Sequence, residues 1–215
     1  MSRALEGTSS IAHRRSTLRR AFELSGVVPL LAFVTLHLVD ALQSRVAAPG
    51  SYSAAFELGL VWLPLLFHLG CGAWFARTGA TARSASVLAR VAAWASCVFV
   101  AVHAWQTRVP VLRGELRRDL VPLELMSTLS STVLFGVPAW AGFYMVGIAA
   151  TSLHVGHGLM HFFQAEGLLR RHPLARLLRI GAWVLAASVF AMGFDAITLL
   201  ATGTHFWLAP PGGSR

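Results

Sequence analysis

Nine histidines occur in the 215 residues. The informative ones fall one to an apolar run: His37, His68, His103 and the group His154, His157 and His161. Imidazole in hydrocarbon is costly unless its nitrogens are occupied, so a histidine inside a membrane-crossing run is a functional hypothesis by default. Four histidines on four runs, at two depths, match what two b-type haems require, each iron being held by a pair of imidazoles. The same residues admit other uses. A single intramembrane histidine also serves as an interhelical hydrogen bonder. Zinc or copper wants three or four ligands close together. His154, His157 and His161, at i, i+3 and i+7 on one helix face, come nearest to that pattern.

The elements that must position these side chains are membrane helices. Hydrophobic residues make up 55% of the chain and charged residues 13%, where a soluble domain carries roughly a quarter charged residues. Every basic side chain is an arginine, and the net charge is +9. The arginines lie between apolar runs and not on a polar domain. They therefore read as topology determinants and contacts for anionic lipid, and nucleic-acid binding is excluded. Cys71 and Cys97 lie within apolar runs without a partner motif and read as small buried hydrophobes.

A window of about 20 residues places spans near 24–46, 57–76, 86–108, 133–163 and 179–202. The predicted fold is an all-α transmembrane bundle of five helices, covering residues 21–205. Residues 1–20 form a cytoplasmic N-terminal segment and 206–215 a short outer tail. The first run follows Arg14, Arg15, Arg19 and Arg20 as a signal peptide's apolar region would. It is longer than such a region and contains His37 and Asp40, so it is expected to stay uncleaved.

The positive-inside rule puts the N-terminus in the cytoplasm and the C-terminus outside. Inner segments then hold Arg3, Arg14, Arg15, Arg19 and Arg20, next Arg77, Arg83 and Arg90, and last Arg170, Arg171, Arg176 and Arg179. The discordant 109–132 connection interleaves its arginines with Glu115, Asp119 and Glu124, and reads as a long amphipathic outer loop.

Depth decides which histidines share a level. At 1.5 Å rise per residue, His37 lies roughly 25 Å beyond Arg20 and His103 about 20 Å beyond Arg90, both towards the outer face. His68 precedes the inner Arg77 by roughly 13 Å, and His154 precedes Glu166 by roughly 18 Å. The arithmetic pairs His37 with His103 outside and His68 with His154 inside.

Several motifs carry a family resemblance. They are Arg19-Arg20 followed by Ser25-Gly26-Val27-Val28-Pro29 and His37-Leu38, then Leu63-Pro64-Leu65 leading to His68. His103-Ala104-Trp105-Gln106-Thr107-Arg108 comes next, and Gly142-Phe143-Tyr144-Met145-Val146-Gly147 leads to Leu153-His154 with Gly158-Leu159 after it. In this order and spacing, from about Arg19 to residue 200, the chain resembles the single five-helix, di-haem cytochrome b membrane anchor of succinate:menaquinone oxidoreductases and fumarate reductases.

The resemblance implies His37 and His103 as iron ligands of a distal haem b, and His68 and His154 as those of a proximal haem b. It selects His154 over His157 and His161, which become propionate contacts or bundle hydrogen bonders. It also implies menaquinone as substrate. Asp40, Gln43, Gln106, Arg108 and Asp195, near the outer level, are the candidate quinone residues. Some fumarate reductases of the family carry an acid two residues before the fourth-run histidine, where this chain has Ser152.

The sequence holds no flavin or iron–sulfur motif. The resemblance accordingly implies partner subunits on the cytoplasmic side, a flavoprotein with FAD and an iron–sulfur protein. The implied setting is a bacterial cytoplasmic (inner) membrane, and the implied role is that of the anchor subunit of an enzyme. Two alternatives stand beside succinate oxidation. One is the same architecture working as a quinol:fumarate reductase. The other is a non-redox transporter whose histidines are structural or relay protons.

Overall fold

The structure is a computed structural model and describes residues 17–43, 54–79, 86–131, 133–134, 137–170, 174–204 and 206. Five long helices carry the fold: α1 (17–43) and α2 (54–78), α3 (Val87–Thr107), α5 (Ala139–Ala165) and α6 (Leu174–Thr202). A shorter helix, α4 (Val121–Ser131), precedes α5. Between them two-residue strands, β1 (Val133–Leu134) and β2 (Val137–Pro138), pair antiparallel with Val133 opposite Pro138.

Among the described residues, four helical segments are long and apolar enough to cross a membrane: Thr17–Val39, Ala55–Thr78, Val87–Leu112 and Leu174–Thr202. At 27 residues α5 has the length for a crossing, since about 20 suffice. It is not one of the four because it spends its positions on three imidazoles, a tyrosine, a threonine and a serine. The all-α expectation holds, and five helices have the length for which only four have the apolarity.

Prolines shape the first two helices. Pro29 lies inside Gly26–Leu30, where the helix widens to π register and the Leu31 N–H reaches back to the Gly26 carbonyl. A second π segment, Leu58–Trp62, precedes Pro64, and the Leu63 N–H bonds to Leu58. Proline lacks the N–H and crowds the carbonyl four residues back. One added residue in the turn relieves both, and such bulges concentrate at functional sites. Pro138 acts differently from the bend its position predicts: it is the N-cap of α5 in extended conformation. The span foreseen at 133–163 therefore starts as helix only at Ala139.

Two other boundaries differ from the sequence reading. Helix α1 begins inside the segment assigned to 1–20, so Arg19 and Arg20 stand on its first turns. The 109–132 connection is not a plain loop: it contains Val109–Leu112, Arg118–Leu120 and then α4. Ordinary capping ends other helices. The Ser86 Oγ accepts the Ala89 N–H at 3.1 Å to start α3, as N-cap residues do. Gly79, at φ 69°, closes α2 in the left-handed region.

Helix α5 is the centre of the bundle, packed against α6 and α3. Close approach is bought with small residues, as in other membrane bundles. A Cβ at Gly193 of α6 would stand 2.7 Å from the Ile148 Cγ2, and one at Gly147 would run into the Phe99 ring. Leu129 of α4 and Ala141, Tyr144, Ile148 and Ile197 form the buried core. Large apolar side chains such as Leu66, Trp74, Val98, Val146 and Val184 face outwards. So much exposed apolar surface marks a protein whose surroundings are not water.

Candidate functional site: two imidazole pairs

The structure brings the intramembrane histidines together two by two. The ring of His37 on α1 lies 5.9 Å from that of His103 on α3, centroid to centroid, with planes inclined at 63°. The ring of His68 on α2 lies 6.1 Å from that of His154 on α5, inclined at 73°. Each pair joins two different helices, so neither is produced by local spacing. The two levels are well separated. Gly26 of α1 abuts His68, and His37 follows eleven residues later, roughly 16 Å along the helix. On α5, Tyr144 contacts His103, and His154 follows ten residues later, about 15 Å on. Two independent helices thus agree on the separation.

Hydrogen bonds decide which ring nitrogen is available. The Nδ1 of His68 lies 3.1 Å from the Phe22 carbonyl and 3.1 Å from the Ser25 Oγ, while Ser25 itself donates to the Phe22 carbonyl at 2.7 Å. A carbonyl only accepts, so Nδ1 carries the proton and Nε2 presents its lone pair. Phe22 also stacks on the ring at 4.4 Å. On the other level the Nδ1 of His103 lies 3.2 Å from the Tyr144 hydroxyl, which donates its one proton to the Gln106 Oε1 at 2.8 Å. The phenol oxygen must then accept from Nδ1–H, and Nε2 of His103 is again the nitrogen with a free lone pair.

The other two α5 histidines face elsewhere. His157 donates through Nδ1 to the Leu153 carbonyl at 2.8 Å and meets the Trp183 ring edge-on at 5.2 Å. The Nδ1 of His161 lies 3.3 Å from the Glu23 Oε1, and its Nε2 lies 3.3 Å from the Arg19 Nη2. One turn of chain away, Arg20 forks onto Glu166, with Nε to Oε1 at 3.0 Å and Nη2 to Oε2 at 3.2 Å. These contacts fasten the start of α1 to the end of α5. Among the described residues no three His, Cys, Asp or Glu side chains gather as a bare metal ion would need.

The five candidate quinone residues do not form one described cluster. The side chains of Asp40 and Gln43 lie outside the described residues. Gln106 holds Tyr144. Arg108 pairs with Glu57 of α2, which Arg118 also engages, and the Arg108 Nε is buried without a partner. Asp195 is completely buried, and its Oδ1 accepts the Phe206 N–H at 2.7 Å, holding the chain after α6 back against the helix. Ser152 bonds to the Ile148 carbonyl of its own helix at 2.8 Å.

Sequence reasoning named neither Ser25, Glu57 nor Tyr144 as site residues. Tyr144 had a signal: it is one of two tyrosines in the chain, and a phenol within an apolar run needs a hydrogen-bond partner. Ser25 and Glu57 had none that distinguishes them from ordinary residues near helix ends.

Fold and site together define a multi-pass helical membrane protein in which imidazoles from neighbouring helices meet as two pairs, edge-on, at two levels. The chain is similar to the succinate dehydrogenase cytochrome b558 subunit of Bacillus subtilis (strain 168), with 26% identity over 204 residues, covering 86% of this chain and 96% of that protein. No family model and no solved structure matches the chain. The relationship extends over most of both chains, and that relative is of the class that the motifs pointed to.

Proposed function

We propose that the chain carries electrons between a cytoplasmic succinate-oxidising flavoprotein and iron–sulfur pair and menaquinone in the membrane, through two bis-histidine b haems. The observation that carries this reading is the pairing itself. The ring centroids lie 5.9 and 6.1 Å apart in the two pairs, a separation at which two imidazoles would share a single metal ion. In each pair one member, His68 or His103, turns Nδ1 to an acceptor and leaves Nε2 to bind metal, the arrangement that metal-ligating histidines favour.

His68 and His154 would hold the haem nearer the cytoplasm, and His37 and His103 the one nearer the outside. When bound, a b-type haem supplies reversible one-electron exchange. The chain's own residues do the rest. Phe22 and Ser25 orient His68, and Gly26 leaves it room. The buried Arg108 Nε, an unpaired donor beside the His103 level, suits an anionic or carbonyl oxygen, whether of a propionate or of a quinone. The Gln106 amide, whose oxygen is taken by Tyr144, keeps its N–H donors for a quinone oxygen. Arg19 and Arg20 on the cytoplasmic turns of α1 form part of the docking face for the soluble subunits.

Reduced-minus-oxidised spectra of the purified full-length chain test the reading. Two b-type components are expected, with replacement of His37 or His103 by alanine removing one and of His68 or His154 removing the other. Absence of any b-type α band from the wild-type chain would overturn it, and so would loss of a component on replacing His157 while His154→Ala left both.

A further inference from the structure

One buried titratable side chain has no part in holding or exchanging electrons as described. Tyr144 is 1% exposed, and its ring is wedged between Phe99 at 5.3 Å, His103 at 5.7 Å and Phe143 at 6.0 Å, all edge-on. Packed this way the ring cannot swing, so its hydroxyl is fixed in place. That hydroxyl joins α5 to α3 at two points one turn apart, the His103 Nδ1 and the Gln106 Oε1.

The two hydrogen bonds are not interchangeable. Gln106 takes the only phenolic proton, so the oxygen facing His103 can act only as an acceptor. The imidazole is thereby held in the tautomer that exposes Nε2. An acceptor on the far nitrogen also makes an imidazole a more electron-donating ligand. Chains of such bonds polarise one another, so the Gln106 carbonyl strengthens its neighbour's pull. At the other level the Nδ1 of His68 faces the backbone carbonyl of Phe22, which no substitution at Phe22 removes, and the Ser25 hydroxyl.

We infer that Tyr144 is a positioning residue for His103, which together with Gln106 fixes the tautomer of that ligand and lowers the reduction potential of the outer haem alone. The inference rests on the di-haem reading. A ligand that donates more electron density favours the ferric state, so removing the acceptor must move the potential upwards.

Spectroelectrochemical titration of the full-length chain in membranes, wild type against Tyr144→Phe and Gln106→Leu, is the test. Tyr144→Phe keeps the packed ring and deletes only the oxygen. The outer midpoint is expected to move positive and the low-spin ferric signal of the same haem to shift, while the inner midpoint stays put as an internal check on folding. Gln106→Leu is expected to move the same midpoint in the same direction by less. Unchanged midpoints, a negative shift, or equal movement of both haems would overturn the inference. Should Tyr144→Phe lose the outer haem, Gln106→Leu decides, because it leaves the aromatic packing intact; an unmoved outer midpoint there overturns it. A wild-type chain with no haem would instead refute the parent reading.

Discussion

At Gly26 a methyl group would stand 2.7 Å from the Cε1 and 3.2 Å from the Nδ1 of His68, closer than carbon and imidazole tolerate. The ring already has its Nδ1 tied to Phe22 and its face stacked, so a methyl group there would force it off its present axis. On the di-haem reading, Gly26→Ala is therefore expected to lower haem content from two per chain towards one, measured as pyridine haemochrome per protein, with the component at His37 and His103 retained. Loss of both components or neither would show that the glycine does not serve that level. At the same scale the three α5 histidines show how far sequence can go. Their spacing puts them on one face, but the neighbours on α1, α2 and α6 differ along that face. His154 meets His68, His157 meets Trp183, and His161 meets Glu23. Helical periodicity sets direction and says nothing about what stands opposite.

Among the elements, α4 is the one that hydropathy could not place. Its eleven residues, Val121–Ser131, are too short to cross a bilayer and too mixed to stand out, so they read as loop. Packing against α5 and α6 makes the segment part of the core, with Leu129 completely buried beside Tyr144, Ile148 and Ile197. Leu129→Ala should cost about 2–4 kcal/mol, read as a lowered denaturation midpoint in detergent. A change near zero would mean that α4 is dispensable. By contrast, four of the long helices were legible because they combine sufficient length with apolar composition, and α5 because its length outweighs its polar positions. The π segments lie at Pro29 and just before Pro64, where a missing donor is accommodated locally.

For the whole molecule, the two ends of the bundle are held by charge of unequal worth. Arg20 and Glu166 meet with 67% and 27% of their side chains exposed, where an ion pair contributes about 0–1 kcal/mol. Glu57 is 13% exposed and lies against both Arg108 and Arg118. Removing it leaves two guanidinium groups together, one with a buried unpaired Nε. Hydrogen bonds to charged groups that are partly shielded from water contribute about 1.5–3 kcal/mol. Glu57→Ala is accordingly expected to destabilise the chain in detergent several-fold more than Glu166→Ala, by comparison of their unfolding midpoints. Equal effects would remove the distinction. The Glu57 clamp also ties the 109–120 connection to the start of α2, a link between residues some fifty positions apart.

By itself, the sequence determined the long helices, the histidines they carry and the levels at which those histidines stand. Those are one-dimensional quantities: an apolar run of sufficient length becomes a helix in lipid, and a fixed rise per residue converts position into depth. Only the tertiary structure decided that His103 turns one nitrogen to Tyr144, that Phe22 does the same for His68, and that Glu57 gathers two arginines. Such contacts join residues on different helices. Side-chain hydrogen bonds and ring contacts act over a few ångströms, so they follow from how the helices pack and leave no trace in the spacing along one chain.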